Sequence, residues 1–388
     1  MSLPALGATP DADAILSSGK FDEGIAALEA RLKEQPKDDA ARLGLGVTQF
    51  VSAVQRLGQK LAVYGPRPRF AFAGGPVIAE VPAPAEPLTY PVLRKINQEW
   101  LDDLARIEAT LAKITSEEFK LPLHVGRVKL NLGTAETRSL TLLPILQQFR
   151  LGGAGREADF VIAFDRADVD WLRGYCHLLS ALSEIMLAYD GQGLFDVVAH
   201  RFFQHAKVPH EFLLEPNRTP QGGWFQFEEV ADAIAFIHML RFPLVEPKRM
   251  EAALAHVEQT LSLSRQMWKR IQAETDNDHE WIPGPKQKGA INIPVTQEIV
   301  DNWLRALDEA EQIVQGKKLL PFWRGKPTRG VNLRKVFLEP RRLDIVLWIQ
   351  GTDATPYLEE GELTQPDTWQ QINRAFGGQF LGFEFWFN

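Results

Sequence analysis

Apolar residues recur three or four positions apart in two long stretches of the first third of the chain, as they do on one side of a helix. The first stretch predicts a single long helix with a continuous apolar seam, whose residues are Leu43, Val47, Phe50, Val54, Leu57 and Leu61. The second stretch predicts another long amphipathic helix, whose apolar residues are Leu93, Ile96, Trp100, Leu104, Ile107 and Leu111. Because each helix has one apolar side to bury, we expect the two to pack antiparallel.

Helical patterns continue in the middle and the C-terminal half of the chain. Asp168 suits the N-cap of a helix that runs to about Tyr189. Gly191 and Gly193 then close a tight helical hairpin, whose second arm is expected over residues 194–205. Other helices are predicted over residues 228–240, 246–274 and 296–315, and one more through Leu140, Leu143 and Leu146.

Apolar residues at every second position predict short strands. Near the C-terminus this alternation is typical of strands buried on both faces, and its residues are Leu343, Ile345, Leu347, Ile349, Phe383, Phe385 and Phe387. Shorter extended segments are predicted within residues 119–132 and 160–164. The predicted fold class is therefore α+β and predominantly α-helical, with helical hairpins and long amphipathic helices packed on a small C-terminal β-sheet.

Proline marks one break in the helical pattern. Residues 65–90 contain six prolines, which forbid a helix and favour an extended linker or covering loop. The apolar residues of this segment, Phe70, Phe72, Val77 and Ile78, are expected to lie over a groove. The predicted domains are a helical segment at residues 1–64, this linker or loop, a helical domain at 91–274, and an α+β region at 275–388.

Several residues near the N-terminus keep the spacing of a tetratricopeptide helical hairpin. They are Gly19, Phe21, Ile25, Leu32, Pro36, Leu45 and Gly46. Gly24 and Leu28 depart from this resemblance, because a small Ala and a bulky aromatic residue are usual at their positions. A helix pair of this kind cannot bury its own apolar side. The resemblance therefore implies either structural packing inside a larger helical fold or a groove for a peptide.

Two other segments, Trp171 to His177 and Phe376 to Phe380, resemble a group of uncharacterised bacterial proteins. Those proteins often begin with a tetratricopeptide-like segment behind a signal peptide. Residues Leu3 to Ala8 also look like the end of a secretory signal, although the basic and apolar portions that should precede them are absent. The resemblance implies export, so a periplasmic location is expected, with the cytoplasm as the alternative.

Composition is that of an ordinary soluble globular protein, with 388 residues of which 45% are hydrophobic and 24% charged. The single cysteine, Cys176, excludes an internal disulfide and a thiolate metal cluster. It lies in an apolar helical pattern, which favours a buried and inert thiol. The chain has no run of eighteen apolar residues, so no membrane-spanning segment is expected.

The candidates for catalysis lie on the helix that begins near Asp168. At helical spacing Asp170, Arg173, His177, Ser180 and Glu184 form a narrow polar arc, and apolar residues occupy the other sides. Asp196 and His200 share one side of the next arm, and the hairpin brings His200 to the level of Glu184. Convergence of His177, Glu184, Asp196 and His200 would suit a hydrolase or a metal-dependent enzyme.

The alternative for this polar arc is a set of hydrogen-bonded structural pairs. In either case we expect Arg173, His177 and Glu184 to face other protein groups more than bulk water.

Signatures of a cofactor or metal site are missing from the sequence. It has neither a His-Glu-x-x-His motif nor a Gly-x-Ser-x-Gly elbow, and no Lys-Ser or Lys-Thr follows the glycines of residues 152–155. The acidic cluster Asp276 to Glu280 is interpreted as a solvated turn, with a cation site as the alternative. We therefore predict no cofactor and no bound metal.

One segment is strongly cationic although the chain carries a net charge of −7. Residues 317–342 contain nine basic residues and a single acidic residue, Glu339, with aromatic residues between the cations. This mixture suits an anionic partner such as a phosphate or carboxylate, and nucleic acid is disfavoured because the acidic remainder of the chain would repel it. The predicted ligand-binding residues are Trp323, Arg324, Arg329, Arg334, Arg341 and Arg342. Internal neutralisation of acidic helices is the alternative.

These patterns favour a non-enzymatic binding or scaffold protein. Its partner is expected to be a protein, a peptide or an anionic ligand. The alternative is a hydrolase or metal-dependent enzyme built on the helical hairpin of residues 168–206.

Overall fold

The computed structural model of the chain describes residues 11–66, 84, 86–133, 139–141, 160–215, 227–290, 295–365, 369–370 and 373. Helices make up most of these residues. The α-helices are α1 (Ala12–Ser18), α2 (Phe21–Glu34), α3 (Asp39–Ala62), α4 (Tyr90–Leu111), α5 (Arg166–Ala188), α6 (Gln192–Phe202), α7 (Phe227–His238), α8 (Lys248–Ala273), α9 (Gln297–Val314), α10 (Leu333–Leu338) and α11 (Ile345–Gln350). The predicted fold class, a predominantly helical α+β protein, is confirmed.

The strands are short and antiparallel. They are β1 (Leu121–Leu123), β2 (Lys129–Asn131), β3 (Ser139–Thr141), β4 (Ile162–Phe164), β5 (Arg241–Phe242), β6 (Leu320–Pro321), β7 (Arg329–Val331), β8 (Leu343–Asp344) and β9 (Leu358–Glu360). In the described residues β1 pairs with β4, β2 with β3 and β5 with β8, and a three-stranded sheet has the order β6-β7-β9. The last of these is a small sheet in the C-terminal region, but its strands are not the strand predicted at Leu343 to Ile349.

The N-terminal helices follow from local capping and close packing. The Asp11 side chain accepts a hydrogen bond from the Asp13 amide at the start of α1, and Gly19 ends that helix in the left-handed region at φ 76°. A Cβ at Gly24 would collide with the side chain of Ile15. The glycine that departs from the tetratricopeptide pattern is therefore the residue that lets α1 and α2 approach each other.

Helices α3 and α4 pack antiparallel, as their apolar seams predict. Lys60 forms an ion pair with Glu99, and Arg56 lies 2.9 Å from Asp103 one turn further along the pair. At the other end Gly46 lies directly against the side chain of Leu111. Pairing that runs forward on one helix and backward on the other establishes the antiparallel direction.

Helix α5 lies between α4 and α8. On its α4 side, the buried Val169, Leu172 and Cys176 share a core with Leu104 and Ile107. Burial in this apolar core raises the pKa of the Cys176 thiol, as expected for an inert cysteine. A second core joins α8 to α9 through Trp268, Met267, Val300 and Trp303.

Helix α5 begins before Asp168, which corrects the predicted cap. Asp165 is the N-cap, and its side chain accepts a hydrogen bond from the Ala167 amide at 2.8 Å. Asp168 occupies the third helical position, where its carboxylate accepts from the Asp165 amide at 3.0 Å. The reciprocal bonds form a capping box, so the sequence contains two acidic residues suited to the same helix start.

Two strand and helix predictions were wrong. Residues 345–350 form helix α11 rather than a strand, because Asp344 caps the Leu347 amide and Gly351 ends the helix at φ 113°. Leu140 lies in strand β3, paired with Leu130 of β2, rather than in a helix. The predicted covering residues Phe70, Phe72, Val77 and Ile78, the predicted strand at Phe383 to Phe387, Leu143 and Leu146 lie outside the described residues.

Candidate functional site

A cavity of about 690 Å³ opens beside the C-terminal half of α5, and we call it the α5 pocket. Its walls come from α3, α4, α5 and α6, and from the paired strands β5 and β8. Among the lining residues are Leu57, Leu61, Leu93, Ile96, Trp100, Leu179, Leu182, Met186, Phe195, Val198, Phe202, Phe242 and Leu343. Met186 is 65% exposed and Leu182 is 49% exposed, so the pocket opens to the surface beside these two side chains.

Two polar residues at the α5 pocket, Arg94 and Asn97, donate hydrogen bonds to other groups of the chain. The Arg94 guanidinium donates to the carbonyl oxygens of Leu187 and Tyr189 at 2.8 and 2.9 Å, and to Glu246 Oε1 at 2.7 Å. Asn97 Nδ2 donates to the carbonyl oxygen of Ser183 at 3.4 Å. Arg94 thus satisfies carbonyl oxygens at the C-terminal end of α5, and Glu246 neutralises its charge. The wall of the pocket is consequently apolar and almost without charge.

Sequence patterns predicted the helices around this pocket but not the pocket. Leu57 and Leu61 belong to the predicted seam of α3, and Ile96 and Trp100 belong to that of α4. Helical periodicity identifies which side of a helix is buried, whereas the pocket arises where two such sides diverge from each other. The exposed Met186 gives no signal either, because it continues the apolar side of α5.

The predicted polar arc of α5 is covered by the neighbouring helices. Arg173 donates to both oxygens of Glu108 on α4, at 2.9 Å from Nη2 and 3.0 Å from Nε. His177 lies between α4 and α8, with Nε2 at 3.2 Å from Glu108 Oε1 and Nδ1 at 2.8 Å from Nδ1 of His256. Side chains of Arg173, His177 and Glu184 are 18%, 13% and 12% exposed, which confirms that they face protein groups.

The four candidate catalytic residues pair with residues outside the set. Glu184 accepts from Arg249 Nη1 at 2.8 Å, and Asp196 accepts from Gln192 Nε2 at 2.5 Å. His200 Nε2 lies 3.9 Å from Asp232 Oδ2. His177 pairs with Glu108 and His256. Each of the four candidates therefore has a different partner within the helical part of the fold.

Burial and charge set the protonation of the polar network around His177. Burial raises the pKa of Glu108, but hydrogen bonds from His177 and Arg173 outweigh it, so the net direction is downward and the carboxylate stays ionised. Burial, followed by the positive charge that His177 can carry, lowers the pKa of His256. These directions suit a structural ion-pair network.

Three carboxyl groups meet near the start of α5, and they are the residues that could hold a cation. Ligand atoms of Asp165, Glu274 and Glu280 lie within 4.8 Å of one another. Oxygen ligands of this kind suit a hard divalent ion. Lys120 also reaches this cluster, with Nζ at 3.8 Å from Glu280 and in direct contact with Asp276.

The carboxyl groups of this cluster are buried or partly buried and close to one another, and their pKa values are raised. Burial, then the charge of Asp165, raises the pKa of Glu274 to about 7. Burial also raises the pKa of Asp165 and of Glu280. The predicted solvated turn is therefore only partly right, because Glu280 points inward while Asp278 and His279 are exposed.

Most cations of the predicted ligand-binding segment form ion pairs within the chain. Arg334 pairs with Glu258 at 2.8 Å, Arg342 with Asp353 at 3.1 Å, and Arg329 with Glu360 at 3.7 Å. Lys318, Lys326 and Lys335 pair with Glu309, Glu360 and Glu359. Arg324 instead stacks on the Trp323 ring, with Cζ 4.4 Å from the ring centroid.

Comparison with known proteins does not indicate a family for this chain. Models of protein families, curated proteins and solved structures contain no match to the chain. Among the described helices, none is both long and apolar enough to cross a bilayer.

Proposed function

We propose that this protein is a non-enzymatic binding protein whose ligand occupies the α5 pocket. The observation that carries the proposal is a cavity of about 690 Å³ with an almost wholly apolar wall. Small-molecule sites in proteins commonly measure about 300–1,000 Å³ and are lined mainly by apolar and aromatic side chains. The size and the lining of the α5 pocket match such a site.

The ligand that fits has a long apolar body and an uncharged head. Charged recognition would need a cation or anion left available at the wall, and Arg94 is held by Glu246 and two carbonyl oxygens. A carboxylate inserted beside Arg94 would compete with Glu246 and would lose its own hydration. A fatty alcohol or another neutral long-chain molecule neither competes with Glu246 nor loses the hydration of a charged group.

Two earlier expectations have less support than the α5 pocket. An anionic partner at Trp323 to Arg342 would have to compete with internal ion pairs such as Arg334 with Glu258. Hydrolysis by His177, Glu184, Asp196 and His200 would need these residues to converge, whereas each contacts other partners. An exported location remains a proposal that rests on the sequence resemblance.

Fluorescence titration with N-phenyl-1-naphthylamine tests the proposed function. This uncharged apolar probe should bind the full chain saturably with one site per chain. Dodecanol should displace it at lower concentration than dodecanoate, because both have a twelve-carbon chain but only dodecanoate carries a charged head that must lose hydration. Met186→Lys, which places a cation at the pocket opening, should weaken probe binding about tenfold or more, since an apolar ligand that covers the opening would remove water from that cation.

Ile349→Lys is the matched control. Ile349 is as exposed as Met186 but lies on α11, outside the α5 pocket. Probe binding should be unchanged in this variant. Equal weakening in both variants, or binding without saturation, would mean that the probe adheres to exposed apolar side chains and that the proposed function is wrong.

A further inference from the structure

Seven large apolar side chains among the described residues are exposed on α7, on α11 and beside α11, and we call the five most exposed of them the docking strip. They are Ile234 and Ile237 on α7, Val346 and Ile349 on α11, and Trp323, with exposures of 63%, 53%, 46%, 64% and 66%. A helix of a water-facing surface normally turns such residues inward. Several together indicate a surface that meets another apolar phase.

Hydrogen bonds join the elements that carry the docking strip. Strand β5, which follows α7, pairs with β8, which leads directly into α11. The Ile345 amide at the start of α11 donates to the carbonyl oxygen of Leu240 at 2.9 Å. At the other end Trp323 Nε1 donates to the carbonyl oxygen of Ile349 at 2.8 Å. The exposed residues thus belong to one connected part of the fold.

Three arginines accompany these residues without an ion pair to any described residue. Arg324 stacks on Trp323 and donates to the Gln350 carbonyl oxygen at 2.9 Å. Arg241 lies in β5, and Arg341 lies two residues before β8. The other arginines of residues 324–342 are paired with carboxylates, as Arg342 is with Asp353. Positive charge without an ion pair is therefore found on Trp323 itself, through Arg324. Arg241 and Arg341 carry it at or near the strands β5 and β8, although Asp344 lies opposite Arg241 in that strand pair.

We propose that the docking strip binds the surface of a bilayer that contains anionic lipid. Apolar side chains enter the boundary between headgroups and acyl chains, a tryptophan favours that boundary, and neighbouring arginines attract anionic headgroups. Arginine stems are long enough to keep the charge at headgroup level while the apolar residues insert. Binding of this kind is peripheral and needs no membrane-spanning helix.

The docking strip is close to the α5 pocket along the chain. Phe242 of β5 and Leu343 of β8 line that pocket, while Arg241 lies in β5 and Arg341 lies two residues before β8. A protein held on a bilayer by the docking strip would present the pocket near a source of long-chain molecules. The inference itself goes beyond the proposed function, since it depends on a different set of residues.

Vesicle co-sedimentation of the full chain tests this proposal. We expect binding to vesicles of phosphatidylcholine with phosphatidylglycerol, and much weaker binding to phosphatidylcholine alone. Arg324→Gln and Arg341→Gln should each lower the partition coefficient about fivefold, as expected for one cation near an anionic surface. Ile234→Ser and Ile349→Ser should lower it on both vesicle types, because they remove inserted apolar area.

Matched controls keep the result specific. Lys113→Gln removes an exposed cation on another part of the chain, and Leu338→Ser removes an exposed leucine on α10. Neither should change the partition coefficient. Absence of vesicle binding, or equal losses in the strip and control variants, would overturn the proposal and leave an acidic protein surface as the alternative partner. Probe binding to the α5 pocket is measured without vesicles, so either proposal can fail alone.

Discussion

The Nδ1 atoms of His177 on α5 and His256 on α8 lie 2.8 Å apart. One ring must donate and the other accept, so at most one of these two nitrogens carries a proton while the contact lasts. His177 also has Nε2 at 3.2 Å from Glu108 on α4. The two contacts of His177 therefore connect α4, α5 and α8. The bond between the two Nδ1 atoms would break if both of these atoms carried a proton.

Acidification should destabilise the fold through His256. Burial and the charge of His177 lower its pKa in the folded state below the ordinary value of 6.5. Below pH 6.5 His256 therefore binds more protons in the unfolded state than in the folded state, and its contribution to the free energy of unfolding falls as the pH falls. When urea unfolding is measured at pH 7 and pH 5, the change in the free energy of unfolding on acidification should be less destabilising in His256→Gln than in the wild type.

His279→Gln is the control for that experiment. The His279 side chain is exposed and contacts only Asp278 among the described residues. Its replacement should leave the pH dependence unchanged. An identical pH dependence in the wild type and the His256→Gln variant would contradict the assignment.

Removal of the Asp170 side chain should destabilise the fold strongly. It is fully buried, and its oxygens lie 2.6 Å from Arg166 Nη1 and 2.8 Å from Arg270 Nη1. Arg270 also pairs with Glu117, but Asp170→Ala would leave the buried Arg166 without its partner. We expect a loss of about 3–5 kcal/mol in the free energy of unfolding.

An exposed ion pair provides the comparison for Asp170. Asp308 lies 2.7 Å from Arg265, and the two side chains are 59% and 40% exposed. Asp308→Ala should cost less than about 1 kcal/mol in the same urea unfolding measurement. Equal costs for the two variants would mean that the Asp170 network adds no more than a surface pair.

Glu274 should destabilise the fold at alkaline pH. Its pKa rises from 4.5 to about 7 on folding, so between these values Glu274 binds more protons in the folded state than in the unfolded state. Stability contributed by this group therefore falls as the pH rises through that window. Glu274→Gln should raise the free energy of unfolding at pH 8 by about 1 kcal/mol after allowance for solvent screening, and should change little at pH 4.

The Glu274 measurement needs EDTA, because a cation among Asp165, Glu274 and Glu280 would also relieve the repulsion. Gln287 donates to Glu274 Oε2 at 3.1 Å, and the amide oxygen of the variant can still accept that bond. A variant that is less stable than the wild type at pH 8 would show that the carboxylate is ionised and favourable in the folded chain.

Long helices could be predicted from the sequence because many positions support the same period. The α3 seam has apolar residues through several turns, so a single exception changes nothing. Residues 343–349 offered only a short apolar run, in which alternation and helical spacing fit equally well. The Asp344 side chain caps the first turn and Gly351 ends the helix, so the helix there is favoured by local hydrogen bonds and backbone conformation rather than by apolar periodicity.

Sites were harder to predict, because they depend on residues distant in sequence. The polar arc of α5 was identified correctly, yet its partners Glu108 and His256 come from two other helices. Arg334 is one of the ligand-binding residues predicted from the sequence, but in the fold it forms an ion pair with Glu258 of α8. The α5 pocket depends on the separation of packed helices, which no pattern of apolar positions records.

Photolabelling tests the central claim most directly. A dodecanol that carries an alkyl diazirine, irradiated with the full chain and mapped by mass spectrometry, should label residues 179–187 of α5 or 194–202 of α6. Labelling should saturate and should disappear under excess dodecanol. Labels concentrated on α7, on α11 or on Trp323, or labelling that dodecanol does not displace, would contradict a ligand site in the α5 pocket.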